Sequence, residues 1–150
     1  ALNSLVSDVA DLAKADLARR SVSLTLALAE TGPQALVDRV SIEQVVHNLL
    51  VNAIDAVEAL PEPRRTITVT TGAEGDDVFI AVHDRGEGIA PANLPRLFEP
   101  FFTTKGGGGE GSSGGGLGLG LPLCERLVQR FGGTVTAGND PGGGAIFTVR

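Results

Sequence analysis

Ser41-Ile42-Glu43-Gln44-Val45-Val46-His47-Asn48-Leu49-Leu50-Val51-Asn52-Ala53-Ile54-Asp55-Ala56-Val57 is the stretch whose reading decides the fold. Apolar residues at 42, 45, 46, 49, 50, 53, 54 and 57 recur at spacings of three and four, the mark of an amphipathic helix with one face to bury. Ser41 followed by Gln44 has the form of a capping box, so the pattern predicts a helix from Ser41 to about Ala59, stopped by Pro61 and Pro63. Three polar residues ride on it: Asn48, Asn52 and Asp55 stand at i, i+4 and i+7 and share a face. Asparagine is a poor helix former, so two of them aligned in mid-helix need a reason. One reason is chemical, because a neutral oxygen ligand suits Mg²⁺, which keeps most of its waters and takes substrate phosphates as ligands. The other is a pair of solvated or mutually hydrogen-bonded amides. The helix alone does not choose between them.

Working outward, Leu2, Leu5, Val6, Val9, Leu12, Ala13 and Leu17 form an apolar stripe that predicts an amphipathic helix over 1–18. Val22, Leu24, Leu26 and Leu28 alternate with small or polar residues as a half-buried strand does, until Gly32-Pro33 breaks the pattern. Beyond the central helix, Ile67, Val69 and Thr71 and then Val78, Ile80 and Val82 read as two strands joined by Gly72-Ala73-Glu74-Gly75-Asp76. Segment 84–116 is irregular, Leu117 to Phe131 is helical, and Thr134–Ala137 with Ala145–Val149 form a closing hairpin. Helices alternating with antiparallel strand pairs point to an α/β sandwich of one sheet covered by helices.

Composition narrows the function. The 150 residues suit one soluble domain, and a net charge of −6 with scattered basic residues and no aromatic interleaving disfavours a nucleic-acid binder. No apolar run approaches the ~18 residues that a membrane span needs, and residues 1–4 lack a secretory signal pattern. The chain starts without methionine inside a helical pattern, which reads as a piece of a longer protein whose upstream part is left open, membrane segments included. A single cysteine, Cys124, excludes an internal disulfide; among Leu121, Leu123, Leu127 and Val128 it reads as a reduced core residue in a reducing compartment.

Glycines crowd 106–120. A bare glycine-serine run is an inert linker or a loop that waits for something to order it. No GxxxxGK[ST] and no strand-to-helix GxGxxG is present, which removes a P-loop enzyme and a Rossmann site. Gly111-Ser112-Ser113-Gly114-Gly115 matches the form GxSxG but follows glycines rather than a strand, and neither histidine is an obvious base, so a serine hydrolase is set aside. Ile80 to Ile89 is a strand running into a turn with Gly86 and Gly88, and alternation puts His83 and Asp84 on opposite faces. A carboxylate there accepts a hydrogen bond from an exocyclic amine such as that of adenine, or caps its own turn.

Taken in order, Asn48-Leu49-Leu50-Val51-Asn52-Ala53, Asp84-x-Gly86-x-Gly88, Phe98-Glu99-Pro100-Phe101-Phe102-Thr103-Thr104-Lys105 and Gly116-Leu117-Gly118-Leu119-Gly120-Leu121 resemble the N, G1, F and G2 boxes of sensor histidine kinases. Each box alone is weak, but four in order cover almost the whole chain. The resemblance is to the catalytic, ATP-binding domain of these kinases, within the gyrase, Hsp90, histidine kinase and MutL superfamily, and most to the branch that senses nitrogen, oxygen or dicarboxylates. It implies the Bergerat fold: a two-layer α/β sandwich, its mixed, mostly antiparallel sheet covered on one face by helices, with a mobile lid over ATP at about 103–116.

Carried over by residue, the resemblance implies that Asn52 ligates Mg²⁺, Asn48 lies beside the triphosphate and Asp84 holds the adenine amine. Gly86, Gly88 and Ile89 would line the adenine side. Gly116, Leu117, Gly118, Leu119 and Gly120 would bring backbone N–H groups at the start of the last helix to the phosphates. Lys105 and Arg96 would be phosphate contacts, with Phe98, Phe101 and Phe102 packing the lid. Asp55 stands where many relatives have a basic residue and is read as a helix-surface position. Asn48 replaces the glutamate base of the ATP-hydrolysing superfamily members, so fast hydrolysis is not expected.

Neither His47 nor His83 fits the phosphoacceptor, and both are read as structural. The acceptor would sit on an upstream dimerising hairpin, of which residues 1–18 are the end or the linker, leaving 19–150 as the catalytic domain. The implied partners are that histidine phosphotransfer domain, a response-regulator receiver and a second copy in a full-length cytoplasmic or membrane-anchored homodimer. The rivals on the same fold are an ATP-switched binding module and an anti-sigma-type serine kinase.

Overall fold

A computed structural model describes residues 2–29, 38–58, 60–75, 77–86, 120–141 and 143–150. In chain order these form α1 (Leu2–Leu12), α2 (Lys14–Arg19), β1 (Ser23–Ala27), α3 (Arg39–Val57), a 3₁₀ turn (Glu62–Arg64), β2 (Thr66–Glu74), β3 (Asp77–Asp84), α4 (Gly120–Gln129), β4 (Val135–Asn139) and β5 (Ala145–Val149). The strands make one sheet in the order β1-β2-β3-β5-β4. β1 runs parallel to β2, and the other three pairings are antiparallel. Ile67, Val69, Ile80, Val82, Val135, Ala145, Phe147 and Val149 are buried under the helices. Alternate positions such as Thr66, Thr68, Thr70, Ala81 and Thr148 stay partly exposed on the other face, as a two-layer sandwich requires.

α3 is the spine of the helical layer. Ile42, Val45, Val46, Leu49, Leu50, Ala53, Ile54 and Val57 are all buried, the full apolar set that the periodicity predicts. Its start differs from expectation: the helix begins at Arg39 with Asp38 as N-cap, and the Ser41 hydroxyl donates to Asp38 Oδ2 at 2.6 Å. That hydrogen bond is the main reason the Asp38 carboxyl lies below its ordinary range. Ser41 therefore braces the cap from within the first turn.

The N-terminal helical stretch is two helices. Ala13 divides them, its N–H shared between the carbonyls of Val9 at 3.1 Å and Ala10 at 3.2 Å. Leu2, Leu5, Val6, Val9, Ala13 and Leu17 are buried, but Leu12 is 79% exposed. Leu12 is the last residue of α1 and at about 100° per residue falls about 20° beyond the buried Leu5, at the outer edge and the end of the stripe. α1 is also tied to the sheet by polar groups. Asn3 Nδ2 donates to Ala29 O at 2.7 Å, Thr71 Oγ1 donates to Asn3 Oδ1 at 2.6 Å, and the Ala29 N–H donates to Thr71 Oγ1 at 2.9 Å.

The β2–β3 hairpin is tighter than the sequence pattern suggests. Gly72, Ala73 and Glu74 belong to β2, with Gly72 opposite Phe79. A Cβ on Gly72 would stand 2.6 Å from Phe79 Cζ, so the glycine makes room for the ring rather than for a turn.

One helix-ending motif occurs twice. After α4, Gly132 lies at φ 76°, with the Gly132 N–H on Gln129 O at 3.0 Å and the Gly133 N–H on Val128 O at 3.1 Å. After α2 the same pair runs from Ser21 to Ala18 O at 3.2 Å and from Val22 to Leu17 O at 2.9 Å, with Ser21 at φ 55°. A left-handed L-residue costs about 1–2 kcal/mol that glycine avoids, partly offset by the entropy of a freer unfolded chain. Ser21→Gly is therefore expected to raise stability by about 0.5–1 kcal/mol in urea unfolding; a lower midpoint would refute the assignment of strain to this residue.

Candidate nucleotide site

The site follows from the two faces of α3. With its apolar face on the sheet, residues 48, 52 and 56 form a stripe along the rim, four residues apart. Asn48 and Asn52 are each half-buried there. Asn48 hydrogen-bonds the thiol of Cys124 on α4, so its amide faces the α3–α4 seam. Cys124 is fully buried, as the sequence suggests, and its Sγ lies 3.7 Å from Val45 O. Burial pushes the thiol up to about 12, with the Asn48 hydrogen bond opposing the shift.

At the other end of the stripe stands the turn after β3. Asp84 is 1% exposed, and its Oδ1 accepts the Gly86 N–H at 2.9 Å and the Ala145 N–H at 3.3 Å. The carboxylate thus caps its own turn and also holds the start of β5. Gly86 is pressed between that carboxylate and α3: a Cβ on it would lie 2.9 Å from Ala56 O and 3.0 Å from Asp84 Oδ1. Removing the side chain at 86 lets the β3 turn reach the helix, which puts Asp84 beside the rim that carries Asn52 and Asn48. Gly144 makes a second close approach, since a Cβ there would fall 1.8 Å from Asp84 O, at a φ of +87°.

Asp55 keeps the angular position its spacing assigns it, but its side chain is taken up by the scaffold. Arg20 Nη1 donates to Asp55 Oδ1 at 2.8 Å and to Glu58 Oε2 at 3.2 Å, and the Arg20 and Asp55 side chains are only 15% and 14% exposed. The hydrogen bond that Arg20 donates to Asp55 is the largest of the causes holding the guanidinium above its ordinary range. Arg20 O in turn accepts Arg65 Nη1 at 2.8 Å, so Asp55 anchors the α2–β1 corner to α3 rather than presenting a charge at the surface. Nothing in the sequence marks Arg20 as its partner.

Of the other predicted site positions, Gly120 is the first residue of α4. Gly88, Ile89, Arg96, Phe98, Phe101, Phe102, Lys105, Gly116, Leu117, Gly118 and Leu119 lie outside the described residues, as does the segment 103–116. His47 is exposed on α3. His83 turns away from Asp84 toward the β4–β5 turn, a contact that sequence reasoning missed.

The donor set bears on which metal could be held. Among the described residues no group of three or more His, Cys, Asp or Glu gathers to hold an ion. The described residues thus build no all-protein metal cage, whereas a hydrated cation sharing one amide oxygen with a ligand's phosphates fits the Asn48–Asn52 rim. No helix among the described residues is long and apolar enough to cross a membrane.

A buried acceptor at a strand end and an asparagine rim on the facing helix are brought together in one α/β sandwich by a glycine that lets the two touch. The chain belongs to the family of histidine kinase-, DNA gyrase B- and HSP90-like ATPases, whose model matches residues 37–150. It is 34% identical to the sensor histidine kinase ZraS of Escherichia coli (strain K12) over 148 residues, 99% of this chain and 29% of that protein. It spans about 30% of the length of the first curated relatives it matches. Among solved structures, the catalytic domain of the histidine kinase ThkA superimposes with a TM-score of 0.80 at 26% identity, over 99% of this chain and 90% of that one. Full-length ShkA in complex with AMPPNP superimposes with a TM-score of 0.81 at 29% identity, over 99% of this chain and 29% of that one.

The buried thiol gives a prediction about alkaline stability. Its folded pKa of about 12 lies above the ordinary value near 9, so between those limits the unfolded chain releases a proton that the folded chain keeps. Stability then falls as pH rises through this window, and the chain has no tyrosine and only Lys14 and Lys105 to mask the effect. Urea unfolding from pH 8 to 11 should show the decline, at up to about 1.4 kcal/mol per pH unit, and Cys124→Ala should flatten it; an equal slope in the variant would exclude the thiol as its source.

Proposed function

We propose that this chain is the ATP-binding catalytic domain of a sensor histidine kinase, which presents the γ-phosphate of ATP to a histidine on a dimerising hairpin outside residues 19–150. The observation that carries the reading is the buried Asp84 carboxylate, fixed by two backbone N–H groups and set against α3 through Gly86. A fully buried acceptor of fixed orientation selects a ligand edge bearing an N–H, and the exocyclic amine of adenine is such a group. The AMPPNP complex of ShkA, an ATP analogue bound by a protein of the same fold, supports the same choice.

From that anchor the triphosphate would run along the α3 rim toward the start of α4. Asn52 would contribute an amide oxygen to Mg²⁺, and Asn48 would lie alongside the phosphates. Backbone N–H groups at 116–120 would meet them at the positive end of the α4 dipole. Gly88, Ile89 and Lys105 would complete the adenine and phosphate contacts. Bound Mg²⁺ supplies charge neutralisation on the phosphate oxygens.

The chain's own contribution is positioning. Asn48 is an amide and takes no proton at neutral pH, so water is not activated there and the phosphoryl group is kept for the histidine. Residues 1–18 would connect to the hairpin, a response-regulator aspartate would be the final acceptor, and the full-length protein would be a homodimer with this domain in the cytoplasm.

Calorimetric titration with AMPPNP, with and without Mg²⁺ and with GTP as control, tests the reading. ATP-selective, saturable binding is expected. Asp84→Asn should weaken binding by about 1.5–3 kcal/mol, because its amide can turn a donor toward the adenine amine; unchanged affinity would remove Asp84 from the adenine site. Asn52→Ala should abolish the gain in affinity with Mg²⁺, and a gain that persists would take the metal away from this residue. Added to a histidine-bearing hairpin, the chain should leave acid-labile phosphate on it; acid-stable phosphate would indicate a serine kinase.

A further inference from the structure

Asp84 is held from the side opposite α3 by a turn with its own lock. Between β4 and β5, the Gly143 N–H donates to Asp140 O at 2.9 Å and the Asp140 N–H to Gly144 O at 3.0 Å. Those bonds close the turn on itself but do not fasten it to β3. The β3–β5 ladder ends at the pair His83–Ile146, and beyond it the turn is gripped by the His83 side chain, whose Nε2 lies 3.2 Å from Asp140 Oδ2 and 3.4 Å from Gly143 O. Gly144 then passes so close to Asp84 O that no side chain fits, and the next N–H, that of Ala145, reaches Asp84 Oδ1. His83 and Asp84 are adjacent on β3, so one residue grips the turn on the outer face while its neighbour receives the turn's N–H on the inner face.

We propose that His83 and Asp140 are positioning residues for the adenine-side acceptor: they clamp the β4–β5 turn onto the end of β3 and so hold the Ala145 N–H against the Asp84 carboxylate. The inference rests on the reading of Asp84 as the group that binds the adenine amine. The clamp is a neutral hydrogen bond when the imidazole is neutral and an ion pair when it is protonated, so it tightens as pH falls.

The charged groups nearest the clamp besides Asp140 are Arg85, just past the end of β3, and Arg64, which shares a cleft with Thr66, Arg85 and Gly143. The cross-strand neighbours Thr68 on β2 and Ile146 on β5 carry no charge. Both His83 and Asp140 keep about a quarter of their side-chain surface in contact with solvent, at 24% and 28%, so protons reach the pair without unfolding.

The test compares the 150-residue chain with His83→Gln, Asp140→Asn and Asp84→Asn, by AMPPNP titration at several pH values between about 5.5 and 8, where histidine side chains titrate. Hydrogen exchange of the Ala145 amide in the nucleotide-free proteins gives a second readout. Both clamp variants should bind the analogue about three- to tenfold more weakly than the parent at the acid end and should exchange the Ala145 amide faster. Subtracting the His83→Gln profile from the parent's cancels the titration of the nucleotide's own phosphates, and the difference should grow as pH falls.

Parent-like affinity and Ala145 exchange in the clamp variants, with Asp84→Asn impaired, overturns the inference and leaves the adenine reading standing. Parent-like affinity in Asp84→Asn overturns both. A uniform loss across the pH range with Ala145 exchange unchanged also overturns it, because it reports a general destabilisation.

Discussion

Everything in this domain hangs on the burial of one face of α3 against the sheet. Eight apolar side chains fix the rotation of that helix about its axis, and at 3.6 residues per turn the rotation dictates where each remaining residue points. Asn48, Asn52 and Ala56 therefore fall along the rim rather than in the core or out in solvent. The functional stripe has no freedom of its own; it is placed by the hydrophobic effect acting on its neighbours. Asp55 shows the alternative, since one step around the helix from Ala56 it is taken up by Arg20 and serves the scaffold.

The second half of the site is a carboxylate in a setting that would ordinarily reject one. Burying an ion is costly unless hydrogen bonds replace its water, and Asp84 receives replacements from the Gly86 and Ala145 backbones. Two glycines make this possible by subtraction. Gly86 lets the turn touch the helix, and Gly144 lets the β4–β5 connection pass the Asp84 carbonyl. Among the described residues no buried side-chain nitrogen or oxygen lacks a partner, which fits a polar site built to hold its geometry.

How much of this was readable from the chain depends on sequence distance. The apolar set of α3, the strand pairs and the core cysteine follow from local periodicity, and the structure agrees with them. The cap of α3 is ambiguous in the sequence because Asp38 and Ser41 are both cap-forming residues three apart, and a local pattern does not say which of them caps the helix. Gly72 resembled a turn residue because composition cannot show that Phe79 needs its space. The Arg20–Asp55 pair spans 35 residues and the Ala145–Asp84 bond spans 61, and no spacing rule connects such positions. The nucleotide site was legible through its resemblance to known boxes, but the reason for its shape lay in contacts between segments far apart in sequence.

α1 buries Leu2, Leu5, Val6 and Val9 in the core and is tied to the sheet by the Asn3–Thr71–Ala29 hydrogen bonds. A helix of 11 residues held that way is a stiff rod about 16 Å long, welded at its side rather than tethered at its tip. Torque applied at its N-terminal end would turn the sheet with it instead of being absorbed by a slack joint. Because Thr71 lies on β2, next to the strand that ends in Asp84, a rotation there would enter the domain through the same layer that carries the adenine-side carboxylate.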